Sequence, residues 1–466
     1  MRAVAQKNSQ LGIQTMHWMF GGFLGLLDFT LWILLYYTLS KLSGSYNHIS
    51  VSSLLLPPAI LITLIGLVRG YRYDTDFASL QYASEHLIAC LGSFPVSAFF
   101  LYVVASFGSG ANSSRAILLV NLILFGFFSL LIRRFFWFST LRRRGKSKFL
   151  VVADRKLGAI FHADYLKSGQ YQTVQFCSIV NSQECPDFDG KNSEAALLSL
   201  LENENISQLS GVIIAARLAE LGRTLIQKML AIHFGGIPVY SMENFYSEYW
   251  NRMPLELVGP EWVIEANLNL VKNSVSSMAK RFSDLLIAVT LIILLSPLML
   301  FVAVLIVVTD GAPVIYAQQR IGIHQIPFTL YKFRTMSVGS DRGDPYTRST
   351  DERVSSLGSI LRRTRLDELP QLWNVLRGDM SFIGPRAEWF KLVETYEREI
   401  PHYHLRHLVR PGITGWAQVK YPYGTSVGDA IQKLSYDLYY IRNFSFKLDA
   451  AVLLKTVYVV CFGKGR

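Results

Sequence analysis

Long apolar runs separated by short polar breaks fill the first third of the chain. Four of them, at about 17–40, 51–68, 86–107 and 115–132, reach the roughly 17–25 residues that a membrane-spanning helix needs. Arg2 and Lys7 precede the first run, and Arg69 and Arg72 follow the second. Arg133, Arg134, Arg142, Arg143, Arg144, Lys146 and Lys148 follow the fourth, while the intervening GSYNHIS and GSGANSS segments carry almost no positive charge. Cationic residues stay on the cytoplasmic side, so the N-terminus and everything after residue 133 are expected to face the cytoplasm. Pro57, Pro58 and Pro95 lie within the runs, where neighbouring helices can re-satisfy the freed backbone groups. Asp28 is the one ionisable residue inside a span, with Glu85 and His86 at a helix end; such an Asp can mark a transport path or a structural contact, and the contact is favoured. The basic start MRAVAQKNSQ has no small-residue cleavage site after the first run, which predicts an uncleaved anchor.

From residue 148 the pattern changes to short apolar strands separated by amphipathic helices. KFLVVAD, TVQFCSIV, LSGVIIAA and IPVYSM read as strands, and GAIFHADYLK, SEAALLSLLENEN and LGRTLIQKMLAIHFGG as helices. That alternation predicts a parallel, doubly wound sheet. The turn VVADRKLGAI has one glycine where a dinucleotide fingerprint needs three, so a scaffold or regulatory role is expected over nucleotide binding.

A fifth apolar run, 285–309, contains no charge at all. Spanning would export a tail rich in Arg and Lys, including KFR at 332–334, LRRTR at 361–365 and RHLVR at 406–410, against the charge rule. Ser296 and Pro297 lie at its middle, where proline removes a backbone donor and serine can bond a freed carbonyl. Charge and proline together predict a re-entrant helix over 283–309, broken at Ser296 and Pro297, that returns to the cytoplasm. An ordinary kinked span with an external C-terminal domain is the competing arrangement.

Composition agrees with a membrane protein. Of 466 residues 51% are hydrophobic and 17% charged. The net charge of +12 suits anionic lipid, phosphate-bearing substrates or nucleic acid. The basic residues are scattered among apolar ones with no reading helix or aromatic platform, which argues against nucleic acid. Cys90, Cys177, Cys185 and Cys461 have no metal-ligand spacing and are expected to be reduced.

The candidate chemistry is late in the chain. QQRIG (318–322), YKFRTM (331–336), LGSILRRTRLDELPQLWNVLRGDMSFIGPRAE (357–388) and RPGITGWAQV (410–419) have little periodicity and many arginines. Arginine's planar fork grips phosphate oxygens at two points. Arg320, Lys332, Arg334, Arg363, Arg365, Arg386 and Arg410 thus form a supply of cations suited to a diphosphate. An adjacent carboxylate pair, Asp367 and Glu368, can divide labour beside them, one as nucleophile on phosphorus and one as ligand for a hard cation such as Mg²⁺. A lone Asp-Glu pair is more simply a helix N-terminal charge pair. Its arginine-rich, glycine-punctuated setting favours chemistry.

From about Ala279 onward, KRFSD, the Ser-Pro break, KFRTM, LRRTRLDELPQLWNVLRGDMSFIGPR and RPGITGWAQV make the sequence resemble the bacterial sugar transferases, the polyprenyl-phosphate glycosyl-1-phosphate transferases. The four N-terminal helices and the α/β stretch resemble the large-form members, the undecaprenyl-phosphate glucose and galactose phosphotransferases, and the ending resembles the exopolysaccharide branch. The resemblance implies an α/β membrane protein in three parts: a four-helix transmembrane domain at 1–147, a degenerate Rossmann-like domain at 148–265, and a mostly helical catalytic domain at 266–466 with the re-entrant helix. It implies transfer of a hexose-1-phosphate, glucose or galactose first, from a UDP-sugar to undecaprenyl phosphate in the bacterial inner membrane, with the catalytic domain cytoplasmic. Asp367 would form a covalent sugar-phosphoryl intermediate with release of UMP, Glu368 would bind Mg²⁺, and Arg386 would hold phosphate. Inner-membrane lipid is the implied surroundings, and self-association as a homodimer stays open. A catalytically inactive membrane scaffold is the alternative. One departure is visible: the family's GPRP reads GPRAE here, with Ala387 in place of the proline.

Overall fold

The computed structural model describes residues 2–44, 50–72, 75, 77–106, 115–144, 148–153, 155–168, 173–178, 209–216, 221–259, 262, 274–336, 353–421, 424 and 426–461. The chain divides into two compact units, Met1–Trp250 and Asn251–Arg466.

The first unit opens with four helices: α1 (Arg2–Leu42), α2 (Val51–Leu67), α3 (Leu80–Ser106) and α4 (Arg115–Arg144). Met19–Leu42, Tyr82–Ser106 and Arg115–Ser139 are long and apolar enough to cross a membrane. The 17 residues of α2 extend about 26 Å, a little under a hydrocarbon core. The polar break that the apolar pattern flagged is a buried structural contact: Arg133 of α4 donates to both oxygens of Asp28 of α1, at 3.0 and 2.6 Å. Ser129 donates to one Asp28 oxygen at 3.0 Å and Tyr71 to the other at 2.7 Å. The remaining Arg133 nitrogen reaches the Gly70 carbonyl. Both charges are thereby compensated where water cannot reach them, the condition under which an interior ion pair is tolerated.

After the helices come β1 (Lys148–Ala153), α5 (Arg155–Lys167), β2 (Thr173–Ser178), β3 (Leu209–Ala215), α6 (Arg223–Phe234) and β4 (Val239–Ser241). The strands form one all-parallel sheet in the order β2-β1-β3-β4. Leu150, Val152, Val212 and Ile214 supply its buried face, and α6 covers it with Leu225, Met229 and Ile232. The helix expected over SEAALLSLLENEN lies outside the described residues. Arg69 donates to the Glu248 carbonyl at 3.1 Å and Arg72 pairs with its carboxylate at 3.8 Å, so the cationic turn after α2 holds the segment that follows β4.

The second compact unit begins at Asn251, so it takes in residues ahead of 266. Met253, Val258 and Trp262 are buried in its main core with Leu434, Leu438 and Trp416. The Met253 amide donates to the Ser435 carbonyl at 3.0 Å, and the Trp416 indole to the Asn251 carbonyl at 2.9 Å. Irregular backbone with well-spaced apolar anchors carries no periodic signal, and only its packing partners show which unit owns it.

Helix α7 (Ser274–Asp310) is the long apolar element. Ser296 and Pro297 lie inside it, Ser296 donating to the Ile293 carbonyl at 2.9 Å. The helix runs through both residues, with Pro297 inside the element. Phe282, Ile293, Leu294, Leu300, Phe301 and Val308 are exposed along it. Its first turns are bolted to the unit: Lys280 pairs with Asp449 at 2.7 Å, Arg281 donates to the Val375 and Leu376 carbonyls, and Asp284 accepts from the Phe382 amide at 3.1 Å. KRFSD is thus an anchoring sequence.

Candidate active site

A hairpin, β5 (Ile315–Ile321) and β6 (Pro327–Phe333), follows α7, pairing Tyr316 with Lys332 and Arg320 with Phe328. Then α8 (Ser356–Thr364) is capped by Ser355, whose hydroxyl accepts from the Gly358 amide at 2.9 Å and donates to Asp310 at 2.7 Å. Gly358 is packed so tightly on the Thr335 carbonyl that a Cβ there would collide with it. Helix α8 ends at Arg365 in the left-handed region (φ 60°), and the chain reverses into a short 3₁₀ turn, Leu366–Glu368. Helix α9 (Gln371–Arg377) continues from Pro370 and ends at Gly378 (φ 91°), a cap that favours glycine. Asn374 of α9 is fully buried: it accepts from the Tyr331 amide at 3.1 Å and donates to the Thr329 carbonyl at 2.7 Å. This one side chain fixes α9, and the turn before it, against β6.

The turn brings Asp367 (7% exposed) and Glu368 (9%) inside. One Glu368 oxygen faces three cations: Lys332 Nζ at 3.3 Å, Arg386 Nη2 at 3.5 Å and Arg365 Nη1 at 3.6 Å. Burial alone would raise its pKa, but Lys332, Arg386 and Arg365 outweigh it and bring the carboxyl down to about 2. Asp367 goes the other way. Burial pushes it up from the usual carboxylate value, Lys332 pulls against that, and the neighbouring Glu368 charge adds to the rise. Its Oδ1 is buried without a hydrogen-bond partner. Desolvation also lowers Lys332, with Glu368 opposing the fall.

Arg386 is delivered by backbone architecture. Strands β7 (Ser381–Ile383) and β8 (Gly412–Thr414) run parallel, with Arg386 bridging to Gly412. A Cβ on Gly384, Gly412 or Gly415 would strike the facing backbone, which explains the glycines of FIGPR and PGITG without any substrate. The Arg386 carbonyl accepts from Arg406 at 3.1 Å, and Arg406 is itself paired with Asp437 at 2.8 Å.

Of the residues singled out from sequence, Asp367, Glu368, Lys332, Arg365 and Arg386 come together. Arg320 joins Lys332 and Arg386 in a cleft also lined by Leu330, Gln371, Met380, Ala387 and Gly412. Arg334 is turned elsewhere, donating to the Asp310 and Gly311 carbonyls at 2.6 and 2.7 Å, where it caps the end of α7. Arg410 donates to the Gly378 carbonyl at 3.0 Å, at the end of α9. Ser296 and Pro297 belong to α7. Sequence reasoning passed over Gln371, Glu388, Arg406 and Asp437. Glu388 is half-buried; desolvation would raise its carboxyl, but Arg406, Arg320 and Arg386 hold it below the usual value. Arg406 stood inside the RHLVR run with no role attached, and Gln371 inside the quoted dyad stretch.

Such an arrangement can present an unpartnered carboxylate oxygen to an electrophile whose negative charge the surrounding cations accept. Among the described residues no three His, Cys, Asp or Glu side chains cluster as a metal cage.

The family model described as bacterial sugar transferase matches residues 275–463. Over 230 residues the chain is 40% identical to the UDP-N-acetylgalactosamine-undecaprenyl-phosphate N-acetylgalactosaminephosphotransferase of Aeromonas hydrophila, covering 49% of this chain and 53% of that protein. It is 42% identical over 183 residues to the UDP-glucose:undecaprenyl-phosphate glucose-1-phosphate transferase of Xanthomonas campestris pv. campestris, covering 38% of each. It is 39% identical over 185 residues to the exopolysaccharide production protein PSS of Rhizobium leguminosarum bv. phaseoli, covering 38% of this chain and 92% of that protein. The match thus spans about half or less of the first two relatives and nearly all of the third.

Proposed function

The chain belongs to the bacterial sugar transferase family, and on that premise we propose that it transfers a sugar-1-phosphate from a UDP-sugar to undecaprenyl phosphate, releasing UMP. The observation that carries this reading is the unpartnered, buried Asp367 oxygen beside a charge-compensated Glu368, in a unit rooted in an apolar helix. Asp367 attacks the phosphorus nearest the sugar: an aspartyl O–P bond forms as the P–O bond to UMP breaks. An oxygen of undecaprenyl phosphate then attacks the same phosphorus, the aspartyl bond breaks, and the carboxylate is restored. Lys332, Arg365 and Arg386 hold Glu368 ionised and accept charge from the phosphoryl oxygens.

Glu368, an oxygen donor held ionised beside the cleft, would be the protein ligand of a Mg²⁺ ion. When bound it would neutralise diphosphate charge.

In this reading α7 enters and leaves the inner membrane from the cytoplasmic side. Ala288 packs with Leu330 and Val375, while Val302 and Ile306 pack with Phe333 and Leu361. Leu330 and Phe333 are both on β6, so one strand meets the helix on either side of Pro297. A span would carry those two contacts toward opposite faces. The Rossmann-like sheet of the first unit serves as scaffold or regulator.

The sugars named by the relatives include N-acetylgalactosamine, glucose and galactose, so UDP-hexoses and UDP-N-acetylhexosamines both belong in the test. Membranes holding the chain are incubated with each labelled UDP-sugar and undecaprenyl phosphate. Lipid-extractable label with matching UMP release is expected for at least one sugar. Its absence for all of them, with folded protein, overturns the activity.

A further inference from the structure

We propose that Gln371 is a further catalytic residue, a neutral hydrogen-bond donor to the phosphoryl group that is transferred; the proposal rests on the transferase reading above. Gln371 is 3% exposed and lines the cleft with Arg320, Lys332 and Arg386. It follows Asp367 by four residues and Glu368 by three, through a 3₁₀ turn that runs directly into α9. Residues at that spacing fall on one helical face, so the amide stands on the side of the carboxylate pair. No hydrogen bond ties its side-chain amide to another described residue. Gln371 lines the cationic cleft without a hydrogen bond to the described residues around it, which places its amide for a group that arrives with substrate.

The chemistry narrows that group. The cleft's three cations match the fixed negative charge of phosphate. An amide N–H adds a directional, uncharged donor, which can follow an oxygen as charge builds on it during transfer without overbinding the ground state. Lys332 and Arg386 both touch Glu368 and line the cleft, so the space beside Gln371 adjoins the dyad. The same phosphorus is attacked twice, by Asp367 and then by the lipid phosphate. A donor to its oxygens acts in both half-reactions, whereas a residue holding only the uridine acts in the first.

Gln371→Leu and the isosteric Gln371→Glu are compared with wild type in full-length protein checked for monodispersity. UMP release without acceptor reports the first half-reaction. Discharge of the trapped phosphoryl-enzyme by undecaprenyl phosphate reports the second. Expected is a roughly 10- to 100-fold fall in the rate of both steps for Gln371→Leu, with KM for the UDP-sugar within about threefold. For Gln371→Glu, the ratio to wild-type rate should rise as pH falls, because the protonated carboxyl regains a donor. Loss confined to the first step, an effect on KM alone, or rates equal to wild type would each overturn the proposal. Failure of wild type itself to release UMP would instead sink the transferase reading.

Discussion

Each unit buries an aspartate near an arginine, and the two sites are built to opposite ends. In the first unit Asp28 has both oxygens taken, by Arg133, Ser129 and Tyr71, and nothing is left over for a ligand. In the second, Glu368 absorbs the cations while Asp367 keeps a buried oxygen with no partner. A fully partnered buried acid has nothing left to offer a ligand, whereas an unpartnered buried carboxylate oxygen costs stability and is a candidate for function. The contrast marks Asp28 as a structural contact and Asp367 as the candidate for chemistry.

The sharpest break of this comparison is Asp367→Asn. UMP release should vanish, since an amide is a poor nucleophile, while stability at pH 7 holds or rises because a raised folded pKa marks a charge that burial disfavours. Residual turnover above a few per cent, measured by UMP assay, would remove the covalent role.

The second test asks whether the units are independent. A chain beginning at Asn251 should keep the second unit's fold and chemistry, whereas one beginning at Leu268 loses buried Met253, Val258 and Trp262. At about 1.5–3 kcal/mol for each buried side chain, the shorter form should unfold or aggregate. Thermal melts in nanodiscs distinguish them. Equal stability would show that the 251–262 segment is incidental to the core.

Asp28→Asn should give the reverse of Asp367→Asn: a loss of about 3–5 kcal/mol with turnover per folded molecule retained, because it strands Arg133 among apolar helices. An unchanged denaturation midpoint would show that the pair is not structural.

The smallest expected effect is in the pH profile. Glu368, depressed to about 2, contributes stability that is present above its usual value near 4.5 and fades as pH falls toward 2. Asp367 must be ionised to attack, so the acid limb of turnover should lie above the ordinary aspartate range, and stability and activity should fall in separate windows. Coincident curves would argue that one unfolding event explains both.

Much of this was legible in the chain itself. Four helices, a parallel alternation and a fifth apolar run follow from local hydrophobic patterning, which needs no partner to be read. Asp367 and Glu368 stood out because their chemistry clashes with their apolar neighbours. The choice among arginines was not legible. Arg334 and Arg386 are equally suited to phosphate by composition, yet one caps α7 and the other reaches Glu368. That outcome depends on the register of the β5–β6 hairpin and on the glycine-packed β7–β8 pair, which join residues distant in sequence. For the same reason the segment from Asn251 to residue 265 reads as part of the α/β domain until Ser435 and Trp416 close on it. Sequence by itself determined which elements form and which residues are out of place in them, because periodicity and charge are local quantities. Tertiary structure alone decided which cations face the carboxylates and that Gln371 lines one cleft with Arg320, Lys332 and Arg386, because convergence of side chains is a property of packing between elements.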